Sequence, residues 1–301
     1  MTLTAVTTRG SMVMPRSLRH LLADRWVAVM LVIVAMYLII ACAAGTGWLA
    51  GNWNDRVGPS LAPPSMQHLI GTDRLGRSVL RKMFVGAATS VSVTVIATTI
   101  TITVGALLGA AAGYFRGWVD HVIVWLYTTI GSVPGLLMML ALAFVLRDAS
   151  VWGMPLRGVP AVSLAIGATA WVGTCRLIRG EVIKHQQREY IQAATAIGCS
   201  RARIIYAHIL PNVGHLLIIK ASLMSVGFIN AEVTLSFLGL GPTDRPSWGT
   251  MIDEARMEIS QGAWWQMAAA AGAVFILCLA VHVIGDALRD AMDPKVQPRQ
   301  Q

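Results

Sequence analysis

Six stretches long and apolar enough to cross a bilayer constrain this chain more than any other feature. Residues 26–44 carry no charge, and none appears from Met83 to Phe115. Further apolar runs cover 121–146, 161–178, 213–231 and 264–285. A hydrocarbon core takes about 20 residues of α-helix to cross. Inside it each backbone N–H and C=O must be satisfied within the segment, so isolated spans are helical. The alternation in TSVSVTVIATTITITV (89–104) would suggest a strand in water. Its place within a long uncharged run overrides that reading, and the second span is set at 89–113. The expected fold is an all-α integral membrane protein with six transmembrane helices.

Charge supports this. Only 13% of residues are charged, against about 25% in soluble domains. The net charge of +9 would suit a nucleic-acid binder, but its placement reports orientation instead. With the basic loop at 179–211 set in the cytoplasm, fourteen of the 24 Lys and Arg residues fall on that side and nine on the other. Lys220 is left within a span. This agrees with the positive-inside rule and places both termini in the cytoplasm. The chain then divides into a cytoplasmic segment (1–25), a first helix with an external loop (26–82), a transmembrane domain (83–295) and a tail (296–301). Ala41-Cys42-Ala43 resembles a cleavage site and Ile39-Ile40-Ala41-Cys42 a lipoprotein box. The apolar run exceeds the 7–15 residues or so of a signal peptide, which favours an uncleaved helix. Cys42, Cys175, Cys199 and Cys278 are scattered, so neither a disulfide framework nor a zinc site is supported.

Local signals refine the spans. Gly105, Gly109 and Gly113 recur every four residues, as on a close-packing helix face. Pro134-Gly135 predicts a kink in the third span, read equally as packing strain or as a gating bend. Thr72 or Asp73 is expected to cap a short helix running to Met83, and Ser247 one over 248–259. VTLSFLGLG (233–241) is too short to span and suggests a re-entrant or interfacial segment. Trp264 and Trp265 suit an interface at the last span. Lys220, about two turns beyond Pro211, is expected to snorkel to the cytoplasmic side.

The stretch between the fourth and fifth spans, REYIQAATAIGCSRARIIYAHILP (188–211), reads as a short amphipathic helix. Tyr190, Ala194 and Ile197 share one face, and Arg188, Gln192 and Thr195 another. Gly198 stops it in a left-handed conformation. Pro211 sits in the first turn of the next helix. Such a loop is shaped to press against another protein.

These residues resemble the EAA loop of bacterial ABC importer permeases: E-A-A, three residues, G, nine residues, I-x-L-P. Here Gln192-Ala193-Ala194, Gly198 and Ile209-Leu210-Pro211 stand at those places. Gln192 replaces the Glu and His208 an Ile; Glu189, a turn earlier, offers a carboxylate instead. Four more stretches resemble the dipeptide/oligopeptide branch of those permeases. They are Gly71 to Arg77 (GTDRLGR), Gly113 to Asp120 (GYFRGWVD), Leu235 to Gly241 with Ser247-Trp248-Gly249, and Gly285 to Pro294 (GDALRDAMDP). The resemblance covers roughly 65–295 and implies the type I importer permease fold with a cytoplasmic coupling helix.

It implies a multi-pass subunit of a bacterial cytoplasmic membrane, not itself an enzyme. Its partners would be a second permease, two ABC ATPases, an extracytoplasmic binding protein, a peptide substrate and membrane lipid, with no nucleic acid. No cofactor is expected in this chain, because ATP and Mg2+ belong to the ATPases. The sequence agrees, having no G-x-x-x-x-G-K-[ST] loop and no Gly-Lys pair. The resemblance assigns coupling to Glu189, Tyr190, Gln192, Ala193, Ala194, Gly198 and Pro211. An external gate is expected at Ser236, Phe237, Leu238, Gly239, Leu240, Gly241 and Trp248, and the helix kink at Pro134 and Gly135.

Nickel, glutathione and haem are alternative cargoes for the same architecture. His20, His68, His121, His185, His208, His215 and His282 form no ligand cluster that would favour nickel, and no metal site is expected. An intramembrane enzyme needs paired ionisable groups, and only Lys220 and His282 lie clearly within spans, with Asp286 at an end. A stand-alone channel or secondary transporter needs charged or broken-helix sites at mid-membrane. Beyond Pro134-Gly135 these are sparse.

Overall fold

The computed structural model describes residues 24–151 and 153–292. Residues 1–23 of the N-terminal segment, the tail, and Asp293 and Pro294 of the closing stretch lie outside these residues. In chain order the helices are α1 (Arg25–Gly45), α2 (Val79–Phe115), α3 (Gly117–Gly131), α4 (Gly135–Arg147), α5 (Val159–Gln186), α6 (Glu189–Ala196), α7 (Arg201–Phe237), α8 (Trp248–Ile259) and α9 (Trp265–Met292). A two-residue hairpin, β1 (Ser150–Val151) with β2 (Met154–Pro155), joins α4 to α5. Among the described residues, five helices (α1, α2, α5, α7 and α9) are long and apolar enough to cross a membrane. The bent pair α3 and α4 makes a sixth if it counts as one span.

Most of these helices outrun the sequence-based spans, because polar groups continue them past the apolar runs. The helix expected to begin at Thr72 or Asp73 does not form. Ser78 caps α2 instead, accepting a hydrogen bond from Arg81 N, and α2 runs unbroken for 37 residues. Thr72 and Asp73 fold the loop before it: Thr72 Oγ1 donates to Pro59 O and accepts from Ala62 N. The expected re-entrant segment is also absent. Val233 to Phe237 complete the last turns of α7, and Glu232 lies inside the helix just before them. The cap at Ser247 is as expected, with Thr250 completing a capping box at α8.

Pro211 does not open its helix. Ser200 caps α7, which begins at Arg201, and residues Ile204–Ile209 form a π-helical stretch before Leu210. Leu210 N donates to Ile205 O. Proline has no N–H to give, and a widened turn just before it re-registers the ladder without breaking the helix.

The packing rests on α2 and α5. A Cβ placed on Gly105 would lie 2.6 Å from Thr174 Cβ, one on Gly109 2.6 Å from Cys175 O, and one on Gly113 2.8 Å from Val182 Cβ. The three glycines let the two backbones approach where no larger residue fits, which matters because lipid supplies no hydrophobic drive between spans. At one end, Tyr37, Val79, Trp248, Met251 and Trp265 bring α1, α2, α8 and α9 together. Tyr37 donates to Ala273 O and meets Trp248 edge-on at 5.7 Å. At the opposite end a second cluster, including Ile178, Val182, Ile204, Ile205 and Ile209, forms a seat for α6.

Candidate functional site

Helix α6 is eight residues long, too short to be stable alone in water. What holds it is the insertion of Ile191 and Ala194, at i and i+3, into the seat between α5 and α7. Fully burying one such isoleucine contributes roughly 2 kcal/mol. This reverses part of the expected face. Ala194 is only 6% exposed and points inward, whereas Ile197 is 81% exposed. Glu189, Tyr190, Gln192 and Ala193 are also exposed. The period was right, but the sequence paired Ala194 with Tyr190 and Ile197 because it weighed apolarity rather than the seat beneath.

Gly198 stops α6 as its position predicts, with φ +81°. Cys199 N donates to Ala194 O and Gly198 N to Thr195 O, both at 3.0 Å. These are the two bonds of a Schellman turn. Tyr190 is anchored by a 2.7 Å hydrogen bond between its hydroxyl and His185 Nδ1. Gln192 and Thr195 line an open cavity of about 550 Å³ shared with Arg116, Gln186 and Arg201. Gln186 Nε2 donates to Tyr114 O and so ties the ends of α5 and α2 together beside it.

The other end of the bundle carries an ion network that the sequence did not disclose. Asp73, 1% exposed, accepts from Leu75 N, Arg77 N, Arg77 Nε and Lys82 Nζ at 2.7–3.0 Å. Lys82, equally buried, also pairs with Glu254 of α8. Burial alone would raise the Asp73 carboxyl. The Lys82 charge and the hydrogen bonds from Arg77 and Lys82 outweigh it and hold it below the usual carboxylate range. Burial pushes Glu258 up, partly opposed by the hydrogen bond from Arg74 N. Asp73 and Lys82 are nine residues apart and Glu254 is distant in the chain, so only the tertiary fold assembles them.

Beside it lies a neutral-donor knot. Glu232, fully buried, accepts from Ser90 Oγ at 2.8 Å and Ser236 Oγ at 2.7 Å. Ser236 meets Ser247 at 3.3 Å, and Trp248 N donates to Ser90 Oγ. The knot pins α8 to α2 and α7. Of the residues expected at a gate, Ser236 and Trp248 are therefore locked inside it. Phe237 and Leu238 are partly exposed, 39% and 50%, and Arg256 lies over the Phe237 ring. Gly239 ends α7 with φ +78° and the same two-bond turn that ends α6. Leu240 N donates to Leu235 O within it.

The kink at Pro134-Gly135 is sharper than a bend. Helices α3 and α4 meet at 92°, with Pro134 capping α4 and no side-chain hydrogen bond at the cap. Below the break the Arg176 guanidinium lies 4.8 Å from the Tyr127 ring centroid, and Arg179 forms a two-bond ion pair with Asp120 at 2.5 and 2.7 Å. The Lys220 ammonium lies against α5, 4.0 Å from where a Cβ on Gly173 would stand.

Comparisons with known proteins fit this geometry. Residues 105–297 match the model of a family described as "Binding-protein-dependent transport system inner membrane component". The chain is 34% identical to the dipeptide transport system permease protein DppC of Bacillus subtilis, over 78% of this chain and 71% of that one. It is 34% identical to the oligopeptide transport system permease protein OppC of Haemophilus influenzae, over 78% and 73%. To the glutathione transport system permease protein GsiD of Escherichia coli it is 35% identical, over 78% and 74%. Among solved structures, a chain of the MetNI methionine ABC transporter in an inward-facing conformation superposes with a TM-score of 0.54 at 15% identity. That match covers 69% of this chain and 95% of the other.

Proposed function

From the premise that this chain belongs to the binding-protein-dependent family of ABC transporter inner-membrane permeases, we propose that it imports di- or oligopeptides across a bacterial cytoplasmic membrane. It does so by alternating access driven by partner ATPases. The observation that carries this reading is α6: a short helix seated on two spans, presenting Glu189, Tyr190, Gln192 and Ala193 outward beside a left-handed Gly198. Helix α6 seats in a cleft of an ATPase subunit that binds ATP and Mg2+. Closure of two such subunits moves α6 and, through the cluster below it, the spans. Ala194 serves from within, fixing α6 to α5 and α7, and Pro211 with its π turn sets the line of α7. A second permease completes the path, and an extracytoplasmic binding protein delivers substrate to the end that holds α8. Phe237 to Gly241 form the external gate there, with Ser236 and Trp248 as its fixed frame, and Pro134-Gly135 is a fixed bend in the wall. The relatives named for peptides support the substrate class, while the glutathione relative keeps a modified tripeptide within it.

The test is a cross-link. With Cys42, Cys175, Cys199 and Cys278 all replaced by serine, a single cysteine at Ala193 is expected to join an ATPase subunit through a short bifunctional reagent, in a manner that changes with ATP. The same cysteine at Ala194 is expected not to react, because its side chain is buried. Labelling of the Ala193 cysteine from outside the cell, with no cross-link, would overturn both the coupling role and the topology.

A further inference from the structure

We propose that Arg176 and Lys220 form an anion-binding step on the translocation path, which holds a carboxylate of the substrate as it crosses. The proposal rests on the peptide-import reading and adds to it the substrate group that is recognised.

Three observations carry it. The first is position. Lys220 lies within the apolar run 213–231 and Gly173 within 161–178, and Arg176 stands one turn from Gly173, towards the cytoplasmic end, on the same face of α5. The second is exposure. Gly173 and Arg176 are open to the outside of the chain, and Lys220 is half-buried. A cation on such a face is costly against hydrocarbon, and ionisable groups within spans line a bundle interior or a water-filled cavity. The face is therefore the wall of the path rather than a lipid surface. The third is the lack of a counter-charge. Among the described residues neither cation has a carboxylate within salt-bridge distance. Asp120 is taken by Arg179, and Glu232 is bound by serines on the far side of the fold.

The surroundings suit a transient ligand. Arg176 is positioned by the Tyr127 ring and passes beside Gly131, where a Cβ would stand 3.2 Å from its Nη2. A guanidinium grips a planar carboxylate with parallel hydrogen bonds. Lys220 adds a mobile point charge from the facing helix.

The experiment uses the whole transporter in proteoliposomes, with its ATPases, second permease and binding protein. Uptake is compared for an acidic dipeptide and for its carboxamide isostere. The binding protein's own preference is the same for every variant and cancels from their ratio. Lys220→Met is expected to lower the acid-to-amide uptake ratio about tenfold, Arg176→Gln to lower it similarly, and Lys220→Arg to restore it. An unchanged ratio in an assembled Lys220→Met transporter overturns the proposal while leaving the import reading intact. So does loss of assembly in Lys220→Met that Lys220→Arg repairs, which would assign the cation to a carboxylate of the second permease. If the unaltered transporter takes up neither peptide, the substrate reading itself falls and the proposal with it.

Discussion

Asp73 shows how much one side chain settles at the α8 end of this protein. Its carboxylate is the shared acceptor for Arg77 and Lys82, and through Lys82 it reaches Glu254 on α8. Asp73→Asn removes the charge and leaves a buried ammonium with one partner fewer. A loss of about 2 kcal/mol in the stability of the purified protein is expected. The pH dependence has a definite sign. The folded carboxyl lies below its ordinary value of 3.8, so its contribution is fully present above that value and is lost as the pH falls through the folded one. Thermal unfolding of wild type and Asp73→Asn is expected to differ by a constant amount from about pH 5 to about pH 8 and to converge only in strong acid. A difference that disappears near neutral pH would show that the ion network does not hold α8. The sequence displayed Asp73 as a possible helix cap and as part of the GTDRLGR stretch, but not its partners, which are recruited by folding.

Among the elements, α6 was the most legible and the most instructive. Its length, its stop at Gly198 and its place between two spans all follow from local chemistry, and local chemistry is readable in one sequence. Its inward face was not readable, because that depends on which residues of α5 and α7 form the seat. Likewise α2 and α7 ran past their apolar cores, where Ser78 and Ser200 cap them in polar sequence. The stop at Gly198 yields a prediction at this scale. Open space surrounds the position, so a side chain fits sterically, but φ +81° strains any L-residue. Gly198→Asn, which tolerates that conformation, is expected to retain ATP-driven uptake. Gly198→Asp adds a charge at the docking face and is expected to abolish uptake while the protein remains in the membrane, as judged by immunoblot. Normal uptake by Gly198→Asp would remove the coupling role.

For the molecule as a whole, the all-helical membrane class, the presence of several long apolar helices and the family pattern were carried by the sequence, since bilayer length and polarity act on every residue of a span. What it did not carry were two assemblies that unite distant segments. One is the Asp73–Lys82–Glu254 network, and the other is the serine knot around Glu232. Both lock α8 to the bundle, and so they divide the proposed gate into a fixed frame and a free rim. A cysteine at Leu238, on the rim, is expected to change its labelling rate between ATP-bound and nucleotide-free transporter. One at Ser236, in the frame, is expected to stay unreactive in both. Equal labelling of Leu238 in the two states would reject the gate.

Helix α7 joins the seat of α6 to the rim at Leu238 without interruption over 37 residues. At about 1.5 Å per residue it is a rod of about 55 Å. Tilting such a rod by about 10° displaces one tip relative to the other by about 10 Å, with no intermediate relay and no delay beyond the motion itself. In the proposed coupling, the π turn at Ile204–Ile209 lies close to the driven end of this linkage and is a compliant joint within it. On that proposal its stiffness would set what fraction of each stroke at the base arrives at the tip.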